Sequence, residues 1–458
     1  MSLDGYRITM KKRILFINPW LCDFAAYDLW AKPLGLLYLA SLFRKNGFDV
    51  NYIDCLNPYH PEIRSEPHIK QPKRKSTGAG KFPKEIIPPP QPLQGIRKRY
   101  SRYGISPRIF VKELSRLKRP DVILVTSMMT YWYTGVFETI TVLKDIFPDV
   151  PVVLGGNYAT LCTEHALRCS GADMVVEGEG EASIGHVTKT FLNDDLSFMP
   201  DRNSLDTYPY PAFDLLPQND HVPIMTSRGC PFRCIYCASH LLNDGFRVRD
   251  PISVVDEIEF WHKRYGIANF AFYDDALLVN PEERAIPMLR EIIRRNMDCQ
   301  FHCPNGLHLR GMSEKLSSLL FHARFRTIRF GFETSDVQRQ VETGGKITND
   351  ETRQAIAYLK SAGYSTDTIG VYILCGLPYQ TADEVRHSIS FVKSCGAKPI
   401  IAEFSPIPGT AIWHDAVDTS PYEITQEPLF HNNTLLPCRG EHFSYEMYEE
   451  LKMLTRMR

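Results

Sequence analysis

The chain has 458 residues, 43% of them apolar and 23% charged, with 53 lysines and arginines against 53 aspartates and glutamates. At roughly 150 residues per domain this length predicts two to three domains, each able to bury its own core. Zero formal net charge excludes a globally basic nucleic-acid coat, and no apolar run approaches the ~20 residues of a membrane span.

From the N-terminus, Ile14-Leu15-Phe16-Ile17 reads as a strand ended by Asn18-Pro19. Following Lys11-Lys12-Arg13, this stretch is too short and too strand-like for a signal peptide. Twelve cysteines are too sparse for a disulfide scaffold, so they are expected as thiols or metal ligands in a reducing cytoplasm. Leu34–Phe43 has helical spacing, and Val50–Ile53 is a second strand. Residues 56–105 break the alternation with Lys73-Arg74-Lys75, Pro88-Pro89-Pro90 and Arg97-Lys98-Arg99. Between 60 and 103 there are 11 lysines and arginines and 3 acidic residues. Two readings stand for this basic, Pro-rich insertion: a solvated segment with extended polyproline structure, or an electropositive arm for an anionic substrate or partner.

The alternation resumes with a strand at Asp121–Thr126, a helix at Val136–Ile146 and a strand at Val150–Leu154. A short helix at Cys162–Cys169 and a strand at Met174–Val176 follow. This predicts an α/β, doubly wound (Rossmann-like) domain over residues 1–195. Residues 196–221, with Tyr208-Pro209-Tyr210-Pro211, read as an ordered linker. A second β/α series fills 222–410, with strands at Pro223–Thr226, Phe270–Tyr273, Gln300–Cys303, Arg326–Phe332, Thr368–Cys375 and Ile400–Phe404. Helices lie between them at Ser253–Arg264, Pro281–Arg294, Glu351–Ala362 and Asp383–Ser394. Six such units predict a partial (β/α)6 barrel, with residues 411–458 as a C-terminal extension.

Directly after the first barrel strand comes Ser227-Arg228-Gly229-Cys230-Pro231-Phe232-Arg233-Cys234-Ile235-Tyr236-Cys237. Three soft thiolates at C-x3-C-x2-C spacing suit zinc or an iron–sulfur cluster. Structural zinc takes four ligands, and only His240 stands near as a fourth. The motif and its place before a β/α series resemble the radical S-adenosylmethionine (SAM) superfamily. The resemblance implies a [4Fe–4S] cluster held by Cys230, Cys234 and Cys237, with SAM on the open iron and cleaved to a 5′-deoxyadenosyl radical. It further implies SAM contacts from Tyr236, from Asp274 and Asp275 after the second strand, from Glu333 after the fourth, and from Gly376 after the fifth. This chain has Phe272-Tyr273-Asp274-Asp275 where family members carry a Gly-Gly-Glu type motif.

The first domain resembles the cobalamin-binding module often fused before such a barrel. The resemblance implies cobalamin contacts from Thr126, Ser127, Gly155, Gly156, Glu177, Gly178 and Glu179, at the carboxyl ends of the strands. Modules with a histidine lower ligand carry Asp-x-His-x-x-Gly after the first strand. This chain has Asn18-Pro19-Trp20-Leu21-Cys22-Asp23 there, so no histidine is expected on the cobalt. Tyr131, Trp132 and Tyr133 read as shields of that face or, by a slight preference, as packing residues. The subgroup implies a methyltransferase that acts on an unactivated carbon through a 5′-deoxyadenosyl radical and methylcobalamin. The alternatives are a radical rearrangement, cyclisation or oxidation without methyl transfer, and a non-catalytic cobalamin or Fe–S binding protein. A small-molecule or lipid substrate, anionic if the basic insertion serves it, and a reductant such as flavodoxin or ferredoxin are implied. A cytoplasmic monomer is the expected state. An auxiliary cluster around Cys299 and Cys303 is the weaker reading of two thiols on one strand face.

Overall fold

A computed structural model describes residues 11–69, 72–216, 220–440 and 443–457. Lys70 and Gln71 of the basic insertion, residues 217–219 of the linker and the terminal Arg458 lie outside the described residues.

In the first domain β1 (Arg13–Asn18) leads into the short β2 (Leu21–Asp23), and a helix at Leu34–Lys45 returns the chain to β3 (Asp49–Asp54). The insertion supplies β4 (Lys84–Ile86) and β5 (Ser101–Tyr103), before β6 (Val122–Val125), β7 (Val152–Leu154) and β8 (Met174–Val175). Five strands form one parallel sheet in the order β3-β1-β6-β7-β8. Alternate residues feed opposite cores, as the two-residue period of a strand requires. Ile14, Phe16, Val122, Leu124 and Val153 meet the helix Leu34–Lys45, and Leu15, Ile17, Ile123, Val125 and Leu154 meet the helices of the other face. The strand order reverses between β1 and β6, which is where an open α/β sheet leaves a crevice for a ligand.

The insertion is not a wholly solvated segment. β2, β5 and β4 make an antiparallel sheet, and Ile63, Leu93 and Tyr100 are buried in the core of the first domain. Arg74 pairs with Asp28 at 2.7 Å and Arg102 with Glu85 and Glu138, so part of its positive charge is internal. Arg64, Lys73, Lys75, Lys81 and Arg97 to Arg99 stay exposed, with Lys98 donating to the Thr434 carbonyl of the C-terminal segment at 2.6 Å.

The second domain opens with β9 (Val222–Ile224) and a two-stranded ribbon, β10 (Ser227–Arg228) with β11 (Arg247–Val248). It continues through β12 (Asn269–Phe272), β13 (Gln300–Leu307), β14 (Phe325–Glu333), β15 (Ile369–Cys375) and β16 (Lys398–Glu403). Six of these pair in parallel in the order β16-β15-β14-β13-β12-β9, an open six-stranded barrel wall. β13 runs past the expected Cys303 to Leu307, because a register shift against β14 accommodates Pro304, which has no N–H to give. Phe270, Phe301, Ile328, Val371 and their neighbours pack outward against the helices. Asn269, His302 and Thr327 take the opposite parity and hydrogen bond one another. Trp30 of the first domain stacks on His302 at 4.2 Å, and Tyr273 donates to the Leu29 carbonyl at 2.6 Å.

The C-terminal segment returns to the first domain. Leu429 and Leu435 enter its core, Asn432 donates to Asp23 at 2.8 Å, and His431 contacts Thr130 Oγ1 at 3.0 Å and the Ile424 carbonyl at 2.8 Å. Burial lowers the His431 and His302 pKa values to about 4. A histidine held neutral in the fold stabilises it above its unfolded pKa near 6.5 and loses that contribution as pH falls towards the folded value. Between pH 7.5 and 5.5 each of the two should withdraw about 1 kcal/mol of stability. Urea midpoints at the two pH values test this, and His431→Gln should shrink the difference. No helix of the described residues is long and apolar enough to cross a membrane.

Candidate active site

The three-cysteine loop hangs from the carboxyl end of β9 and is pinned at its base by Asp274. That carboxylate accepts from the Thr226 N–H (2.9 Å), the Thr226 hydroxyl (2.7 Å) and the Ser227 hydroxyl (2.6 Å), and it is buried. Burial raises its pKa against these donors. Asp274, expected to contact SAM, thus anchors the loop, with Oδ1 taking three donors and Oδ2 a second contact from the Thr226 N–H at 3.1 Å. Asp275 is the carboxylate that faces the thiols. It accepts from Ser239 at 2.5 Å, and its charge helps raise the pKa of Cys230 and Cys237.

Cys230, Cys234 and Cys237 are half-buried free thiols. The Cys237 N–H donates to the Cys234 carbonyl at 3.0 Å, and the Ser239 N–H to the Cys237 sulfur at 3.5 Å. Burial, then Asp275 and the other two sulfurs, push the Cys230 thiol up to about 11. Among the described residues no three His, Cys, Asp or Glu side chains stand already gathered around a metal position, this loop included. The donor set fits a cationic cluster all the same: three soft thiol ligands on one loop are what a metal centre would take up. Gly229 (φ +75°) is required here, since a Cβ would strike the Gly245 carbonyl.

Glu333 closes β14 in the left-handed region at φ +74°, a conformation costly for a side chain with a Cβ. It pairs with Lys346 at 3.1 Å, Glu333 being buried and Lys346 partly buried. Burial opposes the Lys346 charge, but Glu333 and the Cys234 and Cys237 sulfurs raise its pKa. Tyr236 lies partly buried beside the same group, its pKa raised by desolvation, Glu333 and Cys234. A Cβ on Gly344 would stand 3.2 Å from Cys234 Cα, so the turn bearing Lys346 lies directly against the loop. Lys346 was not legible in the sequence, where it is one lysine in a Gly-Gly-Lys turn. The Gly376 N–H is taken by Gln380 at 2.8 Å, so that donor is not free for a ligand.

In the first domain a cavity of about 320 Å³ opens at the carboxyl ends of β6 and β7, lined by Thr126, Ser127, Gly155, Gly156, Gly178 and Glu179 among others. Ser127 is engaged internally, donating to the Gly155 carbonyl at 2.7 Å and accepting from the Ala159 N–H at 3.2 Å. Gly156 (φ +96°) lies so close to the Ser127 backbone that no Cβ would fit. A Cβ on Gly35 or Gly178 would meet nothing, so these positions hold space open for a bulky guest. Glu177 is exposed and does not line the cavity, against expectation, because the chain turns at Gly178 and directs Glu179 and Glu181 inward instead. No histidine lines the cavity among the described residues. Trp132 donates to Asp23 at 2.7 Å and packs on Leu21 and Tyr103, while the buried Tyr131 and Tyr133 reach Asn433 and Glu427 of the C-terminal segment, so all three serve packing. Cys299 and Cys303 are buried core thiols, with Cys299 pushed up to about 12 by burial. Gathered metal-ligand groups are absent there too among the described residues.

The wall of the cavity includes Met225, Arg228 and Asn243 of the second domain, so the three-cysteine loop and the crevice of the parallel sheet adjoin. Residues 224–392 match the radical SAM superfamily, and residues 94–188 match the B12 binding domain. The chain is therefore an enzyme in which a B12-binding domain precedes a radical SAM domain. The two matched segments lie in the order B12-binding domain, then radical SAM domain. The radical SAM match implies a [4Fe–4S] cluster and SAM, the B12 match cobalamin. Among similar proteins is an uncharacterized methyltransferase of Pyrococcus horikoshii, 29% identical over 328 residues (65% of this chain, 70% of that one). The cytidylyl-2-hydroxyethylphosphonate methyltransferase of Streptomyces wedmorensis is 22% identical over 89% of this chain and 82% of its own. An anaerobic magnesium-protoporphyrin IX monomethyl ester cyclase of Rubrivivax gelatinosus is 24% identical over 62% of this chain and 56% of its own. The fold resembles the radical SAM methyltransferase TsrM of Kitasatospora setae, solved with tryptophan and a SAM analogue, at a TM-score of 0.65 and 17% identity over 89% of this chain and 76% of that one.

Proposed function

We propose that the protein is a cobalamin-dependent radical SAM methyltransferase acting on an unactivated carbon of a small molecule. The observation that carries this is the shared wall: the cavity of the B12-binding domain is bounded by Met225 and Arg228, at the base of the three-cysteine loop. Cys230, Cys234 and Cys237 would hold the cluster. Asp275 and Glu333, the carboxylates on either side of the thiols, would receive SAM's amino and ribose groups, with Tyr236 packing at the adenine side. Gly35, Gly155 and Gly178 would leave room for cobalamin. When bound, the cluster and SAM supply a 5′-deoxyadenosyl radical, and cobalamin supplies a transferable methyl group. The protein's part is to hold the substrate between the two and to keep water out. A low-potential reductant of the flavodoxin or ferredoxin class and a monomeric cytoplasmic state belong to the same reading.

The likeness to a cyclase supports a second reading, a radical reaction without methyl transfer. Product stoichiometry separates the two. Methylation releases S-adenosylhomocysteine together with 5′-deoxyadenosine from the reduced, reconstituted enzyme and substrate. The second reading releases 5′-deoxyadenosine alone, and that result would displace the methyltransferase assignment.

A further inference from the structure

Arg228 lies two residues before Cys230, yet its side chain leaves its own domain. Its guanidinium stands 2.7 Å from Glu181 and 3.6 Å from Glu179, both in the loop after β8. Tyr38 and Tyr208 lie against it with ring centroids at 5.2 and 4.9 Å. Only 9% of the Arg228 side chain and 4% of the Glu181 side chain are exposed. Arg247, the cross-strand partner of Arg228 in the β10–β11 ribbon, also pairs with Glu179, and its guanidinium donates to the Arg202 carbonyl at 2.8 Å. Both strands of the ribbon below the cysteine loop are thus fastened to Glu179-Gly180-Glu181. Gly180 lets this loop lie against the helix Leu34–Lys45 of the first domain, since a Cβ there would stand 2.9 Å from Leu39.

A buried ion pair of this kind is a poor source of net stability, because desolvation offsets most of its Coulomb energy. What it does provide is a fixed register between the pieces it joins, and here the pieces are the stem of the cysteine loop and a cavity wall. Glu179, Gly180, Glu181 and Arg228 all line that cavity. The cavity is complete only while the stem is docked. A guest in the cavity and a metal centre on the loop therefore act on one structural element, and any coupling between them must be reciprocal.

We propose that Arg228 is a positioning residue: clamped by Glu179 and Glu181, it locks the stem of the cysteine loop to the wall of the cavity and couples the state of the loop to occupancy of the cavity. The pairing itself needs no assumption about the guest; only the second measurement below rests on the cobalamin reading.

The first measurement is hydrogen exchange of the full chain before and after anaerobic cluster reconstitution. In the wild type, reconstitution should slow exchange in residues 176–183 as well as in 227–237. Arg228→Met should keep the iron content and the protection of 227–237 but lose the protection of 176–183. Glu181→Gln keeps the side-chain shape and should lose it in part, which serves if the first variant folds poorly. The second measurement is the Kd of hydroxocobalamin with and without the cluster. The wild type should bind about tenfold tighter with the cluster, and both variants should bind equally in the two states. Unchanged protection of 176–183 in both variants, or no protection in the wild type, overturns the proposal. A wild-type chain that takes up no cobalamin sinks the proposed function instead, and hydrogen exchange alone then decides the coupling.

Discussion

Replacing Cys230, Cys234 and Cys237 together by alanine is expected to remove about four iron atoms per chain, the content of one [4Fe–4S] cluster, and to bring 5′-deoxyadenosine formation to background. All three thiols are half-buried on a loop held from below by Asp274 and from the side by the turn at Gly344, so the loss should not unfold the domain. Removing three half-buried thiols from this loop alters a donor set suited to metal rather than to packing. Far-UV circular dichroism should therefore be unchanged, and cobalamin uptake retained. A variant that keeps its iron would place the cluster elsewhere.

The second large effect separates two neighbours. Asp274→Ala leaves the Thr226 N–H and the hydroxyls of Thr226 and Ser227 without their acceptor in a buried site, which should cost about 3 kcal/mol or more. Asp275→Asn disturbs one hydrogen bond from Ser239 and should cost less than about 1 kcal/mol. Its effect should fall on SAM cleavage, lowered about a hundredfold, the scale for losing a charged group aimed at the reacting molecule. Urea denaturation of the metal-free variants, with 5′-deoxyadenosine assays of the reconstituted ones, checks both. Equal destabilisation by the two substitutions would contradict the assignment.

The contrast shows what the sequence could and could not specify. The cysteine spacing and the β/α alternation are local signals, and they were enough to identify both sheets and the loop. Asp274 and Asp275 sit side by side past a strand end, where the two-residue period no longer says which one turns inward. Glu177, Glu179 and Glu181 pose the same problem, resolved only by the turn at Gly178 (φ +68°). Lys346 reaches Glu333 across a short helix, Val337–Glu342, and a turn, a juxtaposition with no sequence period. The insertion misled through composition: its many exposed cations mask a few apolar residues, such as Ile63, Leu93 and Tyr100, that are buried at irregular spacing.

The central claim is that one chain brings a three-cysteine cluster loop against a cobalamin cavity. The direct measurement is metal content after anaerobic expression with cobalamin supplied and reconstitution with iron and sulfide. The account predicts about four iron and one cobalt per chain, with a cobalamin spectrum free of a histidine ligand, since no histidine lines the cavity among the described residues. A full iron count with no cobalt would contradict it and leave the cavity of the first domain to some other guest.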